Sequence, residues 1–294
     1  MSYILGQLLY DVFDALGQAT TFMASGGTNA TAVNTGTGYT QSNLTGTLIV
    51  RETTDAAAPQ NEFSAVTAFA QSTGTFTFSP VVSAAIASGD KFAFCSPLYP
   101  TYQMIESINA GLRSLGDLVL VDTTTLDTAS NQTEYTAAVA WKRRSPYRID
   151  LQGNTSDADD NRWYQIDAWE YIPATAGSTG LIVFNDQLTP SRDIRIWYED
   201  LHPRVEDYDD VIAEVIHPEL AVAACAEKAA EWQKNRTQSG EPGIVKAWND
   251  AVEKKAEMLA RYPIWKPRRQ PKLFRGRGTG DYPITGEPNK VRLE

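Results

Sequence analysis

Two hydrophobic rhythms run through this chain, and they occupy separate stretches. Phenylalanines alternate at Phe76/Phe78 and again at Phe92/Phe94. They sit in a stretch from about residue 20 to 96 that is rich in Thr, Ser, Gly, Ala and Asn and poor in charge. A period of two places those rings on one face of a pleated strand. Turn chemistry at Asp55-Ala56, Ser72-Thr73-Gly74 and Ser88-Gly89-Asp90 separates the runs. The pattern predicts strands at Gly46–Arg51, Glu62–Phe69, Gly74–Phe78 and Lys91–Phe94, forming a small antiparallel β domain.

On either side the period lengthens to that of a helix. Ile4, Leu8, Leu9, Val12, Phe13 and Leu16 form one apolar stripe, with Ser2 as its expected cap and Gly17 as its end. That predicts a helix of about four turns. Ile105, Ile108, Leu112 and Leu115 predict a second helix over Thr101–Leu115, ended by Gly116. More strand-like runs follow: Leu118–Val121, Glu134–Trp141, Tyr147–Leu151, Trp163–Tyr171, Leu181–Phe184 and Ile194–Tyr198. Breakers at Gln152-Gly153-Asn154, Gly177–Gly180 and Pro190-Ser191 make them a second antiparallel unit.

The last third returns to helix. Asp209–Ile216 reads as a short helix, and Pro218 opens a longer one through Leu220, Ala221, Ala224, Cys225, Ala229 and Trp232. After a loop at Gln238–Gly243, Ile244, Trp248, Ala251, Val252 and Leu259 give a final helix, closed by Pro263. The two long helices predict an αα-hairpin whose alanines permit close approach. Beyond Pro263 proline, glycine and basic residues alternate without a period, as in a segment that cannot bury a core alone. The expected fold class is α+β: a helical core with antiparallel β insertions and an extended C-terminal arm. The expected divisions are an N-terminal helix (1–19), an inserted β domain (20–97), a core of helix, β unit and helical hairpin (98–262), and a basic arm (263–294).

Charge is split along the chain. Residues 261–294 hold nine Lys/Arg against three Asp/Glu, whereas residues 1–260 hold 17 against 33, within an overall net charge of −10. An acidic body with a basic end argues against general nucleic-acid affinity, which requires exposed cations to neutralise phosphates. No run is long and uncharged enough for a membrane helix. The N-terminal residues lack a basic region before their apolar stripe, so folding in the cytoplasm is expected. Cys95 and Cys225 lie in no C-x-x-C spacing and read as buried thiols. The sequons Asn43-Leu44-Thr45 and Asn131-Gln132-Thr133 read as strand and turn composition.

Candidate chemistry is sparse. His202 and His217 each precede a proline and read as local hydrogen-bonding residues; no G-x-S-x-G, phosphate loop or dinucleotide fingerprint is present. Asp157, Asp159, Asp160 and Asn161 form an acidic cluster without the glycine a calcium loop places next, so a solvated loop is favoured over a weak divalent-ion site. In one strand, Asp167 and Glu170 would point to opposite faces while Trp163, Asp167 and Trp169 would share one, suiting a core or sugar-stacking surface better than a hydrolytic pair. No catalytic residue, cofactor site or metal site is assigned. The tail segment Lys266, Arg268, Arg269, Lys272, Leu273, Phe274, Arg275 and Arg277 suits nucleic-acid binding, solubility or docking. The embedded Leu273 and Phe274 favour docking, where arginine pairs bidentately with carboxylates.

The run Gln103–Gly116 continuing to Asp122 and Glu134-Tyr135, then Arg195-Ile196-Trp197-Tyr198, an acidic link and the helix from Pro218-Glu219-Leu220, resembles head-to-tail adaptor (neck) proteins of tailed bacteriophages. Gly74–Phe94 is similar to β modules of virion structural proteins. The likeness covers most of 98–262; the inserted β domain departs from the smallest adaptors. It implies a non-enzymatic virion protein, assembled in the host cytoplasm, forming a ring (twelve copies) beneath the portal. The ring would bridge portal and tail proteins and line a channel through which DNA slides without specific binding. The arm would dock on the portal protein. A tail or decoration protein with a carbohydrate-binding β domain is the alternative, and a carbohydrate-active enzyme a further one.

Overall fold

The computed structural model describes residues 2–36, 38–40, 44–124, 126–137, 146–153, 162–173, 175, 180–237 and 241–265. The fold is α+β, with four helices and antiparallel sheets among the described residues.

Helix α1 (Leu5–Ala15) buries Leu5, Leu8, Leu9, Val12 and Phe13, the stripe its sequence carries. Its N-cap is Ile4 and not Ser2, and it runs 11 residues. The reason lies far away in sequence. Its first amides are satisfied by backbone carbonyls, Leu5 N–H donating to Asp210 O and Gly6 N–H to Tyr208 O, each at 2.9 Å. With the first-turn donors met this way, a side-chain cap is redundant.

Seven antiparallel strands follow: β1 (Ala19–Met23), β2 (Gly26–Gly27), β3 (Thr31–Val33), β4 (Gly46–Glu52), β5 (Phe63–Ala70), β6 (Thr75–Ser79) and β7 (Lys91–Cys95). Their order is β1-β7-β4-β5-β6-β3-β2. Because β1 and β2 are halves of one bent segment, the sheet begins and ends on the same stretch and curls round one aromatic core. Phe76 is its centre, with ring centroids of Phe69, Phe94, Phe92, Phe22 and Tyr39 at 4.6, 5.2, 5.6, 6.1 and 6.3 Å. Strands β4 and β7 are buried on both faces. Leu48, Val50, Phe92 and Phe94 point into this core, whereas Ile49, Ala93 and Cys95 point into the helical one.

Helix α2 (Thr101–Ser114) joins α3 (Pro218–Thr237), α4 (Pro242–Arg261) and α1 around that second core. A third core lies between β10 (Arg148–Gln152) with β14 (Ile194–Asp200) and β12 (Trp169–Ile172) with β13 (Leu181–Phe184). These strands belong to two sheets, β11-β10-β14-β8 and β12-β13-β9, where β8 is Leu118–Asp122, β9 is Glu134–Thr136 and β11 is Trp163–Ile166.

Two further expectations need correction. The run Trp163–Tyr171 is not one strand: it breaks at Asp167-Ala168, and its halves join different sheets. Residues 209–216 are not a helix. Asp210 Oδ2 accepts the Glu206 and Asp207 amides at 2.6 and 2.9 Å, and the Ile212 amide donates to Tyr3 O at 2.9 Å. A short acidic side chain thus captures the backbone locally, in competition with helix formation.

This 201–217 link is fastened by buried polar groups. Asn109 on α2 makes both amide bonds to Val205, accepting its N–H at 2.9 Å and donating to its carbonyl at 2.8 Å. His202, 1% exposed, donates from Nδ1 to Pro203 O at 2.6 Å and accepts the Ala213 amide on Nε2 at 3.0 Å. Accepting at Nε2 requires a neutral ring, with its one proton on Nδ1. Burial, with Arg113 adding to it, holds the His202 pKa below its ordinary value, opposed by the bond to Pro203. The folded state therefore disfavours the protonated form, so its contribution is complete above the ordinary histidine pKa of 6.5 and falls as pH drops toward the depressed folded value. His202→Gln is expected to be less stable than wild type at pH 8, with the gap narrowing toward pH 5. Urea titrations at several pH values check this; a gap constant with pH rules it out.

Candidate functional site

The helical hairpin forms an open groove of about 1100 Å³ with α1. Alanine makes this possible. On α3 the residues Ala223, Ala226 and Ala230 lie along it, and on α4 Ala247 and Ala251, so the floor is apolar but shallow. Three helices are held in register by one ammonium: Lys255 donates to Glu227 on α3 at 2.6 Å and to Ser114 Oγ on α2 at 2.9 Å. Both ends of the Lys255–Glu227 pair are largely buried. Gly111 allows α2 to touch α3, where a Cβ would lie 2.6 Å from Cys225 Cα. Tyr99 packs against Phe13 and Trp232, closing the groove beneath.

The rim is charged. Asp11, Asp14, Glu219 and Asp250 line it together with Lys254 and Arg261. Asp11 accepts the Tyr3 hydroxyl at 2.6 Å, and burial, with this bond adding to it, raises the Tyr3 pKa. Arg261 lies 4.0 Å from Glu219, and Lys254 turns to Glu257 at 3.0 Å. Asp14 and Asp250 have no ion-pair partner among the described residues. Gln233 is 5% exposed and lines the groove, and its Oε1 accepts no hydrogen bond among the described residues. The groove thus presents an apolar floor and two free carboxylates. It fits an occupant with apolar side chains and cationic donors.

Sequence reasoning did not find this groove. Of the residues that mark α4 in the sequence, Val252 and Leu259 are exposed, at 38% and 37%, and the buried residue of this helix is Met258. The signal available was the spacing of Ile244, Ala247, Ala251 and Met258, which marks a face at helical period. The carboxylates on α1 carried no signal until α4 was placed beside them.

The docking residues expected from sequence, Lys266, Arg268, Arg269, Lys272, Leu273, Phe274, Arg275 and Arg277, lie outside the described residues, as do Asp157, Asp159, Asp160 and Asn161. The chain enters that segment beside the groove: Tyr262 stacks on His217 at 3.6 Å, and Ile264 packs on the helical core. His217 also accepts the Glu219 amide at 3.3 Å, so both histidines bond locally as their settings suggest. Cys95 and Cys225 are buried and unpaired, with burial pushing both thiols up.

Trp163 and Trp169 do not share a face. Trp163 is on β11 with the Arg195 guanidinium 3.8 Å above its ring, and Trp169 is inside the third core on another sheet. Asp167 sits in the break and accepts from Gln165 at 2.9 Å; Glu170 is exposed on β12. The buried carboxylate nearby is Asp150, which accepts Arg148 Nε at 2.7 Å and Trp197 Nε1 at 2.8 Å. Those bonds tie β10 to β14 and satisfy the charge.

Among the described residues no group of three His, Cys, Asp or Glu side chains could hold a metal ion, and no helix is long and apolar enough to cross a membrane. No protein-family model matches the chain, and no curated protein matches it.

Proposed function

We propose that this protein is a structural subunit of a tailed-phage neck, one copy in a head-to-tail adaptor ring beneath the portal. The observation that carries the reading is the charge division: an acidic body with sixteen excess negative charges over residues 1–260 and a terminal segment with six excess positive charges. A channel lined by the body repels packaged DNA and lets it slide, and tail and neck proteins contact the ring's outer faces. The terminal segment, through Arg268, Arg269, Arg275 and Arg277 with Leu273 and Phe274, docks on an acidic portal surface. The work is mechanical: many modest contacts between neighbours, twelve by the resemblance, add to one stable ring. The helical core supports this, since α2, α3 and α4 form a rigid block clamped by Lys255 and Gly111.

The test reverses charge. Replacing Arg268, Arg269, Arg275 and Arg277 together by glutamate is expected to abolish co-assembly with portal rings in sedimentation while the circular dichroism stays that of wild type. Co-assembly at the wild-type level would exclude the arm from this role.

A further inference from the structure

We infer that the groove between α1 and the α3–α4 hairpin is the resting site of the chain's own basic arm, residues 266–277, before the arm reaches any partner. The inference goes beyond the adaptor reading, and depends on it only for what later draws the arm out.

Charge complementarity is the first argument. The arm segment contains six Lys/Arg and no Asp/Glu, and the groove offers Asp14 and Asp250, neither of which has an ion-pair partner among the described residues. The apolar match is the second: Leu273 and Phe274 suit a floor of alanine and Ile244.

Position and reach settle which copy's arm occupies the site. Arg261, the last residue of α4, is itself part of the rim, and the chain leaves past Tyr262 at the Pro218 end. Gln233 stands fifteen residues along α3 from Pro218, about 22 Å at the rise of an α-helix. An extended chain covers that distance in about seven residues, so from Tyr262 every arm residue from Arg269 onward can reach the far end of the groove, with slack for Lys272 to Arg275. A tether this short gives the arm an effective concentration in the millimolar range, above that of any second copy in dilute solution.

The test uses the full chain with cysteines at Ala247→Cys and Gly276→Cys, joined by a flexible bis-maleimide. Cys95 and Cys225 are buried and stay silent. The expected product is an internally linked monomer, seen as a shifted band that remains one chain in mass. Adding Asp14→Lys and Asp250→Lys is expected to reduce its yield about tenfold, since each reversal turns attraction into repulsion near the surface. Raising salt to screen the rim without any reversal is the independent control on folding, and it is expected to act in the same direction. Linked dimers would instead assign the groove to a second copy and overturn the inference. So would a monomer link insensitive to both the reversals and salt, or no link at all. No portal is present in this experiment, so its failure leaves the adaptor reading standing, and failed portal co-assembly leaves this result standing.

Discussion

Phe76→Ala is expected to destabilise the protein by about 3–5 kcal/mol, the usual cost of emptying a large buried aromatic site. The residue is fully buried and touches five other rings. Those neighbours come from β1, β5, β7 and the segment after β3, so no single strand can move in to fill the space. Edge-on pairs such as Phe76 with Phe92, at 71°, are lost along with the buried area. Urea unfolding should show a lower midpoint with the slope unchanged, and Tyr102→Ala, at a site 71% exposed, should stay within about 0.5 kcal/mol of wild type. A Phe76→Ala midpoint equal to wild type would mean that the curled sheet does not depend on this ring.

Gly111→Ala is expected to destabilise by about 2 kcal/mol even though alanine favours helix by about 1 kcal/mol. The opposing factor is steric. A Cβ at 111 would stand 2.6 Å from Cys225 Cα, 2.8 Å from Ala224 O and 2.8 Å from Cys225 N, all backbone atoms of a facing helix. A side chain could rotate away; the backbone of α3 cannot move without carrying α4 and the wall of the groove. Calorimetry should show a transition lowered by about 5 °C, from a shift of roughly 2–4 °C per kcal/mol in a protein near this size. A midpoint at or above wild type would show that α2 and α3 can separate freely.

Legibility followed the range of the interactions. Helices α2, α3 and α4 were readable because their periods and stops are local: Gly116, Pro218 and Pro263 stand where the helices change. The strands with alternating phenylalanines were readable for the same reason. The short strands β1 to β3 were not, because a dipeptide such as Gly26-Gly27 has no side-chain pattern and pairs only where Val33 and Ala32 lie opposite it. The break at Asp167-Ala168 hides inside a run of strand-forming residues, and only the partners of each half show where it falls. The groove was least legible. One wall belongs to residues near position 14 and the other to residues near position 250, and the alanines between them read equally well as tightly filled packing.

The amides that open α1 find their acceptors at Tyr208 and Asp210. A ribosome makes residue 5 about 10–40 s before residue 210, at roughly 5–20 residues per second. For that interval the first helix is without its final acceptors, while the curled sheet has every strand it needs once residue 95 is made. Synthesis order therefore makes the docking of α1 on the 208–210 segment a late event, and nascent chains stalled before residue 208 should carry a readily digested α1 beside a protected β domain.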